Sequence, residues 1–224
     1  MRQQRKDETA ERVRRAAWEL FSDVGYAATT TKAIAERAGV AAGTVFVHAT
    51  DKADLLRAVV YAELEARVDE LAGGVGEGAL VDEWMRMFSR LLGFYAQHRR
   101  VAEAFLSVSM SPSLEAKHSA YGLEVTTRFV GVLAGLVERA KGRGEVRRDV
   151  GSVLAAHAAF ALYFSVLTAW LQGFASIDGA SASLRDLLEL LVRGLGPGDV
   201  EPAPPAPLAR VARPRRAKAP RRRA

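Results

Sequence analysis

Only Gly39 and Val40 separate two short helical stretches near the start of this chain. So tight a link leaves two helices one arrangement, meeting at a steep angle. The first stretch has Thr29, Thr30 and Thr31 before it, hydroxyl side chains suited to accept an orphan N–H of a first turn, and Glu36 and Gly39 at its close. The second spans residues 41–48. Upstream, Val13, Ala16, Ala17, Leu20, Phe21 and Val24 recur at helical spacing, one stripe of a helix that Gly25 ends. Downstream, Asp51 is placed to cap a fourth helix carrying Leu55, Leu56, Val59, Val60, Leu64 and Val68 on one face. Helix, short helix, tight turn, short helix over residues 10–48 is the order of a helix-turn-helix DNA reader, whose second short helix enters the major groove.

The wording of this segment narrows the expectation. Leu20-Phe21, Gly25-Tyr26, the Thr-Thr entry, Ile34-Ala35-Glu36, Ala38-Gly39-Val40, Gly43-Thr44, the aromatic Phe46 and Lys52 stand at spacings that resemble the amino-terminal domain of the TetR family of transcriptional repressors. The resemblance covers residues 9–60. It implies DNA contacts from Thr30, Thr31, Lys32, Ala42, Gly43, Thr44, Phe46, Val47, His48 and Lys52. His48 matches a family position that is commonly His or Tyr and touches the DNA backbone. Phe46 stands where the family has tyrosine and lacks its hydroxyl, and Ala49 replaces a bulky apolar residue. Lys52 sits at a helix N-terminus, a reasonable phosphate seat. For base readout, Lys32 has the reach for guanine O6 or N7, Thr44 for a base or phosphate, and Val47 for a thymine methyl. With Ala41, Ala42, Gly43 and Val45 between them, much of the specificity is expected to be indirect.

Residues 73–78 hold four glycines but follow no strand and lack a Gly-Lys-Ser/Thr ending, so they read as a break and not as a phosphate loop. Beyond it, helices are expected at 80–97, 99–109, 113–141, 152–174 and 181–195. Strand patterns are lacking. The fold class is therefore all-α, with an amino-terminal three-helix DNA-binding domain at 1–50, a connecting helix at 51–72 and a helical domain at 79–196. By resemblance that last domain binds a ligand and dimerises, its final two helices forming a four-helix bundle with the partner. Residues 150–177 contain no charged side chain, long enough to span a bilayer. They are rich in alanine and include His157 and Gln172, which favours a helix buried between its own subunit and a second copy. Gly131 and Gly135 are expected to mark close helix packing. The aromatics Trp84, Phe88, Tyr95, Phe105, Tyr121, Phe129, Phe160, Phe164 and Trp170 are core by default, with Trp84, Phe88, Tyr121 and His157 as candidates for a ligand pocket.

Net charge does not by itself argue for nucleic acid. The chain is +6, but residues 197–224 carry eight Lys and Arg against two Asp and Glu, leaving 24 of each sign elsewhere. That Pro-, Ala- and Arg-rich tail cannot bury a core and is expected to be disordered. A protein that binds nucleic acid non-specifically through this tail is the alternative reading. Without cysteine there is no disulfide, thiolate nucleophile or Cys-based metal site. No G-x-S-x-G elbow or H-E-x-x-H is present, so no enzyme, cofactor or metal is expected. Met1 to Glu11 holds Arg2, Arg5 and Lys6 but no apolar stretch, so a cytoplasmic location is expected and no membrane partner. The expected partners are double-stranded DNA with a pseudo-palindromic operator, a second copy of the chain and a small, largely apolar effector.

Overall fold

A computed structural model describes residues 2–74, 76–110 and 117–196. Among these, nine helices and no strand are found: α1 (Arg2–Asp23), α2 (Thr31–Ala38), α3 (Ala42–His48), α4 (Lys52–Gly73), α5 (Leu80–Gln97), α6 (Arg99–Ser109), α7 (Ser119–Gly142), α8 (Ser152–Leu171) and α9 (Ile177–Leu195). The expected tail at 197–224 and the expected start of the seventh helix at 113 lie outside the described residues.

Local chemistry sets the boundaries. Thr30 caps α2, its hydroxyl accepting the Ala33 N–H, and Gly39 ends it in the left-handed region at φ 65°. In that geometry the Gly39 and Val40 N–H groups close back on the Glu36 and Ala35 carbonyls, and the chain turns at once into α3. Asp51 caps α4 through the Asp54 N–H. The last helix begins at Ile177, not at 181, because the Ser176 hydroxyl accepts the Gly179 N–H and starts it a turn early. The helix expected to reach 174 stops at Leu171, two residues before Gly173 at φ 82°. Val24, placed on the first helix's apolar stripe, lies past its end and is 53% exposed.

Two cores result. The head core joins Val13, Ala17 and Phe21 of α1 to Ile34 and Ala35 of α2, Val45 of α3, and Leu55, Leu56, Val59 and Val60 of α4. Ala49, the small residue at a usually bulky position, is also buried there. The body core gathers α5, α7, α8 and α9 around Trp84, Phe88, Leu133, Ala156, Leu184 and Leu188. The boundary between them is not clean. Val101 of α6 belongs to the head core, α4 runs from one core into the other, and Trp18 and Leu64 pack against both.

By length and composition α7 and α8 are apolar enough to cross a membrane. Each buries one face in the bundle, α8 through Ala155, Ala156, Ala159, Tyr163, Leu167 and Trp170. Its other face leaves Val153, Leu154 and Phe164 exposed, and Leu190 is exposed on α9. Gly131 and Gly135 do not mark close packing, since a Cβ on either would meet nothing within 4 Å. The close approach is at Gly122, where a Cβ would fall on the Tyr61 ring.

Candidate nucleic-acid interface and ligand cavity

The predicted reading residues converge on one surface. Lys32, on the first turn of α2, is 82% exposed and its nearest carboxylate, Glu36, is 3.9 Å away, so its ammonium is free to leave for a stronger partner. On α3, Val45 turns inward while Ala42, Gly43, Phe46 and Val47 face out, with Thr44 half-buried. A Cβ on Gly43 would meet nothing within 4 Å, so nothing inside the protein requires glycine there and its backbone stands open to an approaching phosphate. Thr30 is exposed but already caps α2, and Thr31 is half-buried beside it.

His48 is half-buried at the end of α3. Burial, followed by the nearby cations Lys6, Arg14 and Lys117, pushes its pKa below 6.5, so near neutral pH it presents an uncharged imidazole. Lys6 and Arg14 come from α1 and Lys117 from the segment before α7, and sequence spacing gave no signal for their approach to His48. Lys52 differs from its expected place. Its ammonium donates to the carbonyls of Tyr26 at 2.9 Å, Ala27 at 3.3 Å and Thr29 at 3.0 Å, and lies 4.5 Å from the Tyr26 ring. All three donors are committed to the turn between α1 and α2, so Lys52 fixes the entry to α2.

The glycine-rich break is closed to phosphate by its own chemistry. Burial would raise the Glu83 carboxyl, but bonds from Arg86 and the Gly76 and Gly78 N–H groups outweigh it and hold the carboxyl below its ordinary range. A carboxylate fills the space a phosphate would need.

A cavity of about 300 Å³ opens in the body. Its wall is Tyr61, Leu64 and Val68 of α4, Leu91 and Tyr95 of α5, Ala102, Phe105, Leu106 and Ser109 of α6, Val125, Thr126 and Phe129 of α7, and Phe160, Tyr163, Phe164, Leu167 and Leu171 of α8. None of the four predicted pocket residues lines it. Trp84 is wholly buried with its indole N–H toward the Leu133 carbonyl, and Phe88 lies behind the wall, stacked on Tyr163 at 4.7 Å. Tyr121 gives its hydroxyl to Glu65 and stands behind Tyr61. His157 is exposed on the outer face of α8, with Nδ1 2.9 Å from the Val153 carbonyl. Periodicity finds the buried face of a helix but not which buried residues face a void. The Tyr163 hydroxyl, buried in the wall, has no hydrogen-bond partner among the described residues. Burial raises its pKa well above 10, so it keeps its proton.

A helix-turn-helix head sharing core residues with a helical body that encloses an apolar cavity defines a DNA-binding transcription regulator. Residues 13–59 match the family of bacterial regulatory proteins called tetR, so the head is similar to the DNA-binding heads of that family. The fatty acid metabolism regulator protein of Bacillus subtilis (strain 168) is 23% identical over 185 residues, 80% of this chain and 92% of that one. The crystal structure of FadR from Bacillus subtilis in complex with stearoyl-CoA matches with a TM-score of 0.65 at 22% identity, covering 82% of this chain and 98% of that one. FadR of Thermus thermophilus, a repressor solved with lauroyl-CoA, gives 0.64 at 24% identity over 88% and 98%. At these identities the structures establish the shared fold.

Proposed function

We propose that the protein is a homodimeric, cytoplasmic repressor that two apolar chains, one per subunit, release from a pseudo-palindromic operator. The cavity carries this reading. Its volume falls at the lower end of the ~300–1,000 Å³ usual for ligand pockets, and its wall is almost wholly hydrocarbon and aromatic, with the Tyr163 hydroxyl as an unmet polar atom. The stearoyl-CoA and lauroyl-CoA held by similar proteins suggest an acyl thioester as the class of effector.

Dimerisation is supported by the exposed apolar side chains on α8 and α9, Val153, Leu154, Phe164 and Leu190. His157 shares the outer face of α8 with Val153 and Phe164, so the dimer contact is the role left to it. Two reading helices about 34–36 Å apart would then meet successive major grooves. Thr30, Thr31, Ala42, Gly43, Thr44, Phe46, Val47 and His48 present the backbone-contacting and reading surface, and Lys32 the base-reading cation.

The test is fluorescence anisotropy of a mapped operator and of random duplex. Tight operator binding that lauroyl-CoA or stearoyl-CoA reverses, and free coenzyme A does not, is the expected result. Equal affinity for both duplexes would favour non-specific binding through the tail. Operator affinity indifferent to saturating acyl-CoA would remove the effector reading, and a monomer by sedimentation at micromolar concentration would remove the dimer.

A further inference from the structure

Two consecutive residues of the body hold both ends of the turn that follows the reading helix. Lys117 donates from Nζ to the carbonyls of Phe46 at 3.2 Å and Val47 at 3.3 Å. These belong to the last turn of α3, where carbonyls have no partner within the helix. His118 donates its backbone N–H to Asp54 Oδ1 at 3.0 Å, and its ring Nδ1 stands 3.2 Å from the same oxygen. Asp54, in the first turn of α4, also accepts the Thr50 N–H at 2.9 Å. The end of α3, the turn after it and the start of α4 are thus tied to the start of α7.

That same helix walls the cavity. Val125, Thr126 and Phe129 face the void about two to three turns after His118, roughly 10–17 Å along the axis. Between them lies Gly122, against the ring of Tyr61, which is itself part of the wall. A helix moves as a body, so a ligand that presses Tyr61 or Phe129 outward carries the start of α7 with it. The two Lys117 bonds are long already, and a displacement of about 1 Å takes them beyond hydrogen-bonding distance.

We propose that Lys117 is a positioning residue for DNA binding: with His118 it clasps the reading helix in its DNA-competent posture, and filling the cavity opens the clasp through α7. The proposal rests on the reading that the cavity takes an effector. Through this clasp the body reaches α3 directly, in addition to the shared packing of α4 and α6. A lysine beside His48 also has a simpler possible use, contact with a DNA phosphate, and the two roles leave different marks. A clasp orders the protein and changes no ion count. A phosphate contact releases a counterion.

The experiment measures operator and random-duplex affinity across a salt series for the full chain, Lys117→Ala and Lys117→Arg, each with and without lauroyl-CoA. Lys117→Ala is expected to weaken operator binding about fivefold, the scale of one cation at a helix C-terminus, with the salt slope unchanged and random-duplex binding hardly altered. Lys117→Arg, which keeps donors at that place, restores the affinity. The factor by which lauroyl-CoA weakens operator binding shrinks in the alanine variant. Hydrogen exchange in the ligand-free protein reports faster exchange over 42–48 for Lys117→Ala. Equal losses on both duplexes with a salt slope smaller by about 0.9 would assign Lys117 to phosphate and overturn the clasp. Unchanged exchange and operator affinity would overturn it as well. If lauroyl-CoA fails to move wild-type affinity, the acyl effector is wrong, and the ligand-free measurements still decide the clasp.

Discussion

Replacing Asp54 by alanine removes a side chain that ties the reading head to the body through backbone donors. Its carboxylate is 0% exposed and accepts the N–H groups of Thr50 at 2.9 Å and His118 at 3.0 Å, with the His118 ring at 3.2 Å. Bonds to a charged acceptor are worth about 1.5–3 kcal/mol each, and deletion leaves both donors to find water. Thr50 is exposed and recovers most of its loss, whereas His118 is half-buried. The net destabilisation is therefore about 3 kcal/mol, or a fall in Tm of about 6–12 °C for a chain of this size. Asp54→Asn keeps one acceptor oxygen and is expected to lose about half as much. Burial pushes the Asp54 carboxyl up, but the N–H groups of Thr50 and His118 and the His118 ring outweigh burial and hold it below its ordinary 3.8. A carboxyl depressed in the folded state stabilises fully above its unfolded pKa and loses that contribution as pH falls through the folded value. The gap between wild type and Asp54→Ala, measured by urea unfolding, should be constant from about pH 8 to 5 and close only below about pH 4. A gap under about 1 kcal/mol at neutral pH, or one that widens on acidification, would refute this account.

Gly122→Ala places a methyl group where the Tyr61 ring lies, and the ring's free direction is the cavity it lines. The expected cost is about 1–3 kcal/mol in urea unfolding, together with weaker acyl-CoA binding by calorimetry; unaltered ligand affinity would mean the ring moves elsewhere. Burial and the cations Lys6, Arg14 and Lys117 keep His48 neutral until pH falls below 6.5, so if it meets a phosphate, operator affinity should rise as pH drops through its lowered pKa. His48→Gln should flatten that rise, and an equal rise in the variant would take His48 off the backbone. Deleting residues 197–224, with their eight cations, should lower affinity for operator and random DNA by similar factors and reduce the salt slope by about 0.9 per phosphate released, while an unchanged slope would show that the tail stays off DNA.

Helix boundaries were legible at α2 and at the start of α4, where single residues decide them. Thr30, Gly39 and Asp51 act through their own hydroxyl, missing Cβ or carboxylate, and the structure uses each as the spacing predicts. Ser176 carries the same signal but falls in the gap between the helices expected at 152–174 and 181–195. The exposed face of α3 was legible too, since Val45 alone among its large apolar residues turns inward. The cavity was not. Phe88 and Phe129 are both buried aromatics at helical spacing, yet only Phe129 borders the void. That difference depends on how five helices fail to meet, a property of their relative placement that no single helix encodes. Lys52 was misplaced for a related reason. Its position near a helix N-terminus suggests an anion, whereas the carbonyls that claim it come from a turn more than twenty residues away.

On the proposed reading of the cavity as an effector site, the coupling of ligand to DNA follows from which helices the two cores share. The cavity borders α4, α6 and α7, and these same helices reach the head through Leu55 and Leu56, through Val101, and through Lys117 and His118. Arg57 of α4 adds a bond to the Val108 carbonyl at 2.8 Å, fastening the end of α6 to the same region. A well-packed core does not deform continuously, so a ligand that needs more room favours a second arrangement of these three helices instead of bending the first. Its effect on DNA binding is then limited to its differential affinity for the two arrangements, commonly about 1–3 kcal/mol. The operator must weaken the ligand by the same factor, because both draw on one equilibrium. A chain with the head hinged on α4 alone would feel the cavity only through Tyr61, Leu64 and Val68; Val101 in the head core and the Lys117 bonds to the end of α3 add two further links between them.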